Sequence, residues 1–255
     1  MAHNIKALPS FLGIGASRSG TTAIYDYMKR HSDIFVPEEK ELHYFTYFRL
    51  KNSISKTNMV AFYRNHFKKA HSYTSKGEIS PSYLWFPDTA QNIFNFLGPI
   101  KIIVILRNPV ERAISDFQYS WKYGINKVDI KGFVLKGIED LNQKSLKLTP
   151  FSPSAVLWKG FYSKQIEPYI RIFGKKRVQI LLFDDLVDDK QKLKKQLCDF
   201  LHVTNYDDLS FIKKNRRPMK KVVPDNIRSL LAEFYQREID KCAELIDRDL
   251  SHWLS

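Results

Sequence analysis

The chain has 255 residues, 14% of them aromatic, which excludes a disordered tail and supplies enough apolar side chain for one sizeable core. Its 41 lysines and arginines against 27 aspartates and glutamates leave a formal charge of +14. That surplus favours an anionic partner without choosing among nucleic acid, an anionic membrane, an anionic glycan and a phosphate-bearing cofactor. The two cysteines, Cys198 and Cys242, lie far apart with no metal-ligand spacing. Neither a disulfide framework nor a metal centre is expected, and a reducing, cytoplasmic setting is the simpler expectation. Met1 to Pro9 has no apolar run of signal-peptide length, and no window of about 18 apolar residues could span a membrane.

In chain order, the first predicted element is a short apolar strand, Phe11 to Ile14, followed by the turn Gly15-Ala16-Ser17-Arg18-Ser19-Gly20-Thr21-Thr22. Ile24, Met28 and His31 then recur at helical spacing. Lys101 to Leu106 is a β-branched, continuously apolar run, the pattern of a strand covered on both faces. Asn108-Pro109-Val110-Glu111 predicts a helix start, with Asn108 as N-cap, Pro109 in the first turn and Glu111 placed to close a capping box. Lys122 to Pro153 is Lys-rich and aperiodic and reads as a loop, a candidate mobile wall over a site. Phe161, Ile166, Tyr169, Ile170 and Phe173 predict an amphipathic helix ended at Gly174, and Val178 to Phe183 a third strand. Asp184-Asp185 reads as a helix-start pair, and Leu193, Leu197, Phe200 and Leu201 mark the face of the helix that follows. The last helix is expected from about Asp225 to about Ile246. Strands alternating with helices predict an α/β fold, a P-loop-like central parallel β-sheet flanked by helices on both faces, with residues 1–255 as one domain.

The Gly-bearing turn between strand and helix would present backbone N–H groups at a helix N-terminus, an anion site. Ser17, Ser19, Thr21 and Thr22 add hydroxyls, Gly20 permits close approach, and Arg18 adds a fixed cation. The loop departs from the nucleotide triphosphatase pattern: position 21, where those proteins carry lysine, is Thr.

With this loop the chain resembles the sulfotransferases that use 3′-phosphoadenosine 5′-phosphosulfate (PAPS), closest to the heparan sulfate and glycan branch and its bacterial soluble relatives. The resemblance runs in ordered blocks from Phe11 to Trp253. It implies that Ser17, Arg18, Ser19, Gly20, Thr21 and Thr22 bind the 5′-phosphosulfate and that Arg18 stabilises charge on the leaving oxygen without a metal. Lys40-Glu41-Leu42-His43-Tyr44-Phe45 resembles the family's Lys-Glu-x-His-Phe-Phe, which implies Glu41 as general base, with His43 the competing candidate.

Gly77-Glu78-Ile79-Ser80-Pro81-Ser82-Tyr83 resembles Gly-Glu-Lys-Thr/Ser-Pro-x-Tyr, with Ile79 where several animal glycan enzymes carry a lysine. Ser80 and Tyr83 are candidate lining for an acceptor pocket. Arg107-Asn108-Pro109-Val110-Glu111-Arg112-Ala113-Ile114-Ser115 resembles the 3′-phosphate block and implies Arg107 and Ser115 as its contacts, with Arg112 pairing with a nearby carboxylate instead. Lys213-Lys214-Asn215-Arg216-Arg217 falls where the family often has a basic loop over the cofactor, which adds Arg216 and Arg217 as candidates. The expected partner is a hydroxyl-bearing acceptor, with PAP as the second product; the basic surplus favours an anionic glycan or glycolipid, and a small natural product or a lipid-linked sugar stays open. A P-loop kinase would want a loop lysine for the γ-phosphate. A nucleic-acid-binding protein would want basic and aromatic residues interleaved on one element. Neither pattern is present, and no nucleic-acid partner is expected.

Overall fold

The structure, a computed structural model, describes residues 8–46, 56–204, 210–211 and 223–254. Its contacts group the described residues into two compact units. One comprises those within Met1–Leu106 and Pro168–Lys214, the other those within Arg107–Glu167 and Asn215–Ser255.

The first unit is built on five parallel strands: β1 (Phe11–Gly15), β2 (Ile34–Phe35), β3 (Ser75–Ile79), β4 (Lys101–Leu106) and β5 (Val178–Leu182). Their order across the sheet is β2-β3-β1-β4-β5, so β1 is central, with Phe11 opposite Gly77 on one side and Lys101 on the other. Around the sheet run α1 (Thr21–Arg30), α2 (Lys56–Asn65), α3 (Ser82–Trp85), α4 (Thr89–Leu97), α9 (Phe183–Asp188) and α10 (Lys190–Leu201). Side chains of one parity, Phe11, Ile79, Ile103, Ile105 and Leu181, form a core with Ile24 and Met28 of α1 and Leu193 and Leu197 of α10. The opposite parity, Leu12, Ile14, Ile102 and Val104, is equally buried. A sheet hidden on both faces explains the unbroken apolar run of β4.

The second unit is helical. It holds α5 (Pro109–Lys122), α6 (Ile130–Asn142), α7 (Pro153–Trp158), the start of α8 (Tyr162–Phe173) and α11 (Asp225–Ile246). Asn108 caps α5 as expected, its side chain accepting from the Val110 N–H at 2.9 Å with Pro109 in the first turn. Glu111 does not close a capping box; its carboxylate faces Arg107 at 3.8 Å and pairs with Arg228. The expected loop from Lys122 to Pro153 contains a 13-residue helix, α6. Asp129 caps it, Phe133, Val134 and Gly137 bury its inner face, and a Cβ on Gly137 would sit 2.8 Å from Leu157 of α7. The glycine that lowers helix propensity there is what lets two helices meet.

Arg112 is fully buried, 3.3 Å from Asp116 and bonded to the Val156 carbonyl, while Lys159 reaches the same Asp116 at 2.9 Å. It has the carboxylate partner expected of it. Among the described residues, no helix is long and apolar enough to cross a membrane.

Candidate active site

The loop after β1 is the first part of the site. Ala16 closes the strand by donating to Ile105 at 2.8 Å, and Arg18 and Gly20 both take left-handed backbone conformations, φ 66° and 90°. Gly20 is the N-cap of α1 and also packs beneath α9: a Cβ there would lie 2.8 Å from Leu186. Any larger residue would be strained and displaced together. No side chain caps α1, so the partial positive charge of its first turn is left for something else.

The hydroxyl oxygens of Ser17 and Ser19 are buried and have no hydrogen-bond partner. Buried hydroxyls left unbonded are costly. Two of them at a left-handed, uncapped helix N-terminus fit an anionic group bound in the loop. Ser17, Ser19, Gly20, Thr21 and Thr22 therefore stand together, with Arg18 among them, as the sequence implied.

The second part lies in the turn between β2 and α2. The hydroxyl of Tyr25, on α1, sits 2.7 and 2.8 Å from the carbonyls of Pro37 and Glu38 and ties this segment to the helix that carries the loop. Glu41 and His43 both have left-handed backbones, φ 66° and 51°. For residues with a Cβ that conformation persists only where the surroundings impose it. Glu41 pairs with Lys40, and its second oxygen is 3.6 Å from His43 Nε2. Burial raises the Glu41 carboxyl, but His43 and Lys40 together outweigh it and hold the group at about 2. Glu41 is ionised at any physiological pH.

His43 is tethered at three atoms. Its N–H donates to Ser80 Oγ at 3.0 Å, its carbonyl accepts from Thr46 Oγ1 at 3.0 Å, and its Nδ1 lies 2.7 Å from Ser82 Oγ. Ser80 and Tyr83 do not line a pocket, contrary to the expectation. Both are fully buried and donate to Glu78, Ser80 at 2.7 Å and Tyr83 at 2.6 Å. Tyr63 adds a third hydroxyl at 3.5 Å. Glu78, 1% exposed on β3, was not singled out by the sequence. A carboxylate in the strand immediately before a Ser-Pro turn was the available signal.

Desolvation pushes Glu78 up from 4.5 to about 7, against the lowering effect of its hydroxyl partners and of His43. Between those values the folded protein holds a proton that the unfolded chain has lost, so stability falls as pH rises from about 4.5 to about 7. The loss is on the order of 3 kcal/mol. Thermal unfolding from pH 5 to pH 8 is expected to show this slope, and Glu78→Gln to flatten it; an unchanged slope in that variant would place the proton elsewhere. The groups facing Glu78 are Tyr63, Tyr83, Ser80 and His43, and both tyrosines are pushed further up by burial.

In the second unit, Arg107 follows the last residue of β4, and its carbonyl accepts from Tyr162 at 2.7 Å. Ser115 lies near the end of the second turn of α5. Arg216 and Arg217, with the rest of their basic run, lie outside the described residues. Asp184 and Asp185 are in the first turn of α9, as read from sequence, and Lys192 pairs with Asp185 at 2.9 Å. Among the described residues no three His, Cys, Asp or Glu side chains converge as a metal site.

A Gly-bearing loop after the central strand of a β2-β3-β1-β4-β5 parallel sheet, leading into a helix N-terminus, defines a P-loop-like fold. The chain belongs to the sulfotransferase family: the family model for the sulfotransferase domain matches residues 8–242, which takes in most of both units. It is similar to the membrane-associated sulfotransferase kil1 of Dictyostelium discoideum, 22% identical over 95% of this chain and 66% of that protein. It is also similar to heparan sulfate glucosamine 3-O-sulfotransferase 3B1 of Mus musculus, 29% identical over 77% of this chain and 46% of that one. The chain thus spans less than two thirds of these curated relatives. The crystal structure of a sulfotransferase from Alicyclobacillus acidocaldarius superposes with a TM-score of 0.80 at 27% identity, covering 97% of this chain and 99% of that one.

Proposed function

We propose that the protein transfers a sulfuryl group from PAPS to a hydroxyl of a carbohydrate or glycolipid acceptor, with PAP as the second product. The observation that carries this reading is the pair of unbonded, buried hydroxyls of Ser17 and Ser19 at the open N-terminus of α1. When bound, PAPS supplies the sulfuryl group and the nucleotide leaving group. Ser17, Ser19 and the first N–H groups of α1 bind its 5′ end, and Arg18 stabilises the charge that develops on the bridging oxygen. The family resemblance assigns the 3′-phosphate to Arg107 and Ser115, with Arg216 and Arg217 as further candidates from its basic run. Glu41 accepts the proton of the acceptor hydroxyl, and His43 orients it.

A glycan acceptor is supported by the names of the relatives and by an exposed aromatic face in the second unit. There the Tyr119 ring lies 4.6 Å from Tyr123 and 5.7 Å from Phe151, Lys122 sits over Tyr123, and Tyr123 is 60% exposed. Aromatic faces beside ammonium groups suit sugar rings that carry acidic groups. Cys198 and Cys242 are buried free thiols, in keeping with a reducing, cytoplasmic setting.

Thermal unfolding tests the donor. PAP at about 100 times its dissociation constant adds about 2.7 kcal/mol, which for a domain of this size raises Tm by several degrees. A shift with PAP and none with adenosine 5′-phosphate is expected. A shift with ATP and Mg²⁺ but none with PAP would replace the reading with a kinase.

A further inference from the structure

The turn that carries Glu41 and His43 has two left-handed residues with side chains, so something outside it has to hold it. The hydrogen bonds identify what does. Ser80 and Ser82 bracket His43, one at its backbone N–H and the other at its ring. Ser82 is further fixed by Thr46 Oγ1 at 3.2 Å. A serine hydroxyl can accept the His43 N–H only while its own proton points elsewhere. For Ser80 that proton points to Glu78 Oε2 at 2.7 Å. The buried carboxylate therefore sets the direction of the Ser80 hydroxyl and, through it, the backbone of His43.

We propose that Glu78 is a positioning residue: through Ser80 it holds the His43 backbone N–H and fixes the left-handed turn that presents Glu41 and His43. What the turn is used for rests on the proposed function; the relay itself does not. Glu78 touches neither donor nor acceptor in this scheme and transfers no proton to them.

Two hydroxyls on the same carboxylate make the relay separable from a plain contribution to folding. Ser80 connects Glu78 to His43. Tyr83 donates to Glu78 at 2.6 Å, but its hydroxyl also meets the Ser80 side chain. Tyr63 donates to Glu78 Oε1 at 3.5 Å, whereas Ser80 donates to Oε2. Ser80→Ala cuts the relay, whereas Tyr63→Phe removes a hydroxyl from the other oxygen of the same carboxylate and leaves the Ser80 bond in place.

The test uses full-length protein with histidine labelled for NMR. The readouts are the chemical shift and exchange of the His43 backbone amide, and Tm. Ser80→Ala and Glu78→Gln are expected to shift that amide signal and to speed its exchange by about tenfold or more, as for a protein hydrogen bond removed. Tyr63→Phe is expected to lower Tm while leaving both His43 amide signals near wild type. If Tyr63→Phe disturbs the His43 amide as much as Ser80→Ala does, or if neither Ser80→Ala nor Glu78→Gln disturbs it, the relay is wrong.

Sulfuryl transfer and PAP binding are measured on the same proteins. A fall in kcat with Ser80→Ala at unchanged KM for PAPS, and no such fall with Tyr63→Phe, is expected. Wild-type protein that neither binds PAP nor transfers would defeat the proposed function. The His43 signals would still decide the relay.

Discussion

Glu41→Gln is expected to lower sulfuryl transfer by about 10²- to 10⁴-fold, the range a positioned acid–base group supplies, while PAP binding stays near wild type. The substitution keeps shape and removes only the ability to take a proton. Transfer assays and PAP calorimetry on the one variant separate the two effects. The competing assignment gives the opposite pattern, near-normal turnover in Glu41→Gln and a dead His43→Ala. The electrostatics sharpen the test. Held at about 2 by His43 and Lys40, which outweigh burial, Glu41 is always ionised but is a weak acceptor while Lys40 stays paired with it. Activity should therefore show no acid limb belonging to Glu41 above about pH 4. A limb near neutrality would belong to another group, and its persistence in Glu41→Gln with residual activity would show that directly.

Arg107→Ala is expected to weaken binding of PAPS by about 10- to 100-fold, the worth of charge-assisted hydrogen bonds, and to leave adenosine 5′-phosphosulfate almost unaffected. These two ligands differ only at the 3′-phosphate, so their ratio isolates that contact. Glu111 sits 3.8 Å from Arg107, beyond hydrogen-bond reach, and its other oxygen is taken by Arg228. Equal weakening of both ligands would remove Arg107 from the 3′ end. Ser115→Ala should show the same preference in smaller measure, because a neutral hydroxyl contributes less than a guanidinium fork.

Much of the scaffold was legible in the sequence because its signals were local. β4 declared itself by five consecutive β-branched or apolar residues after Lys101, α5 by its Asn-Pro cap, and α11 by its apolar stripe. The loop of Ser17 to Thr22 was legible because chemistry and position coincide there. Elements whose order comes from tertiary context were not. β3 reads Ser-Lys-Gly-Glu-Ile, too polar for a core strand, and it is buried only because it lies between β1 and β2. α6 was hidden by Gly132, Gly137 and scattered lysines, although its buried face follows helical spacing.

In the site itself, the motif drew attention to Glu41 and His43, and the fold sets their side chains 3.6 Å apart. The Glu78–Ser80–His43 relay crosses from residue 78 to residue 43 through the fold, and no spacing rule reaches that far. The same distance hid the fact that Ser80 and Tyr83 point inward.

The strand pairing also sets how the chain must fold. β4 and β5 are hydrogen-bonded neighbours from Ile102 opposite Val178 to Leu106 opposite Leu182, yet about 70 residues of helical chain intervene between them. Closing a loop of that size costs on the order of 4 kcal/mol before any of the pairing is gained. Pairing on that side of the sheet is thus non-local, the class of contact whose closure cost slows folding, and β4 would present an open edge in any state that lacks β5. Early formation of α5, α6 and α7, whose contacts are close in sequence, would shorten the effective loop. The burial of Gly137 against Leu157 then bears on folding speed and on the time an adhesive strand edge stays exposed, as well as on the packing of two helices.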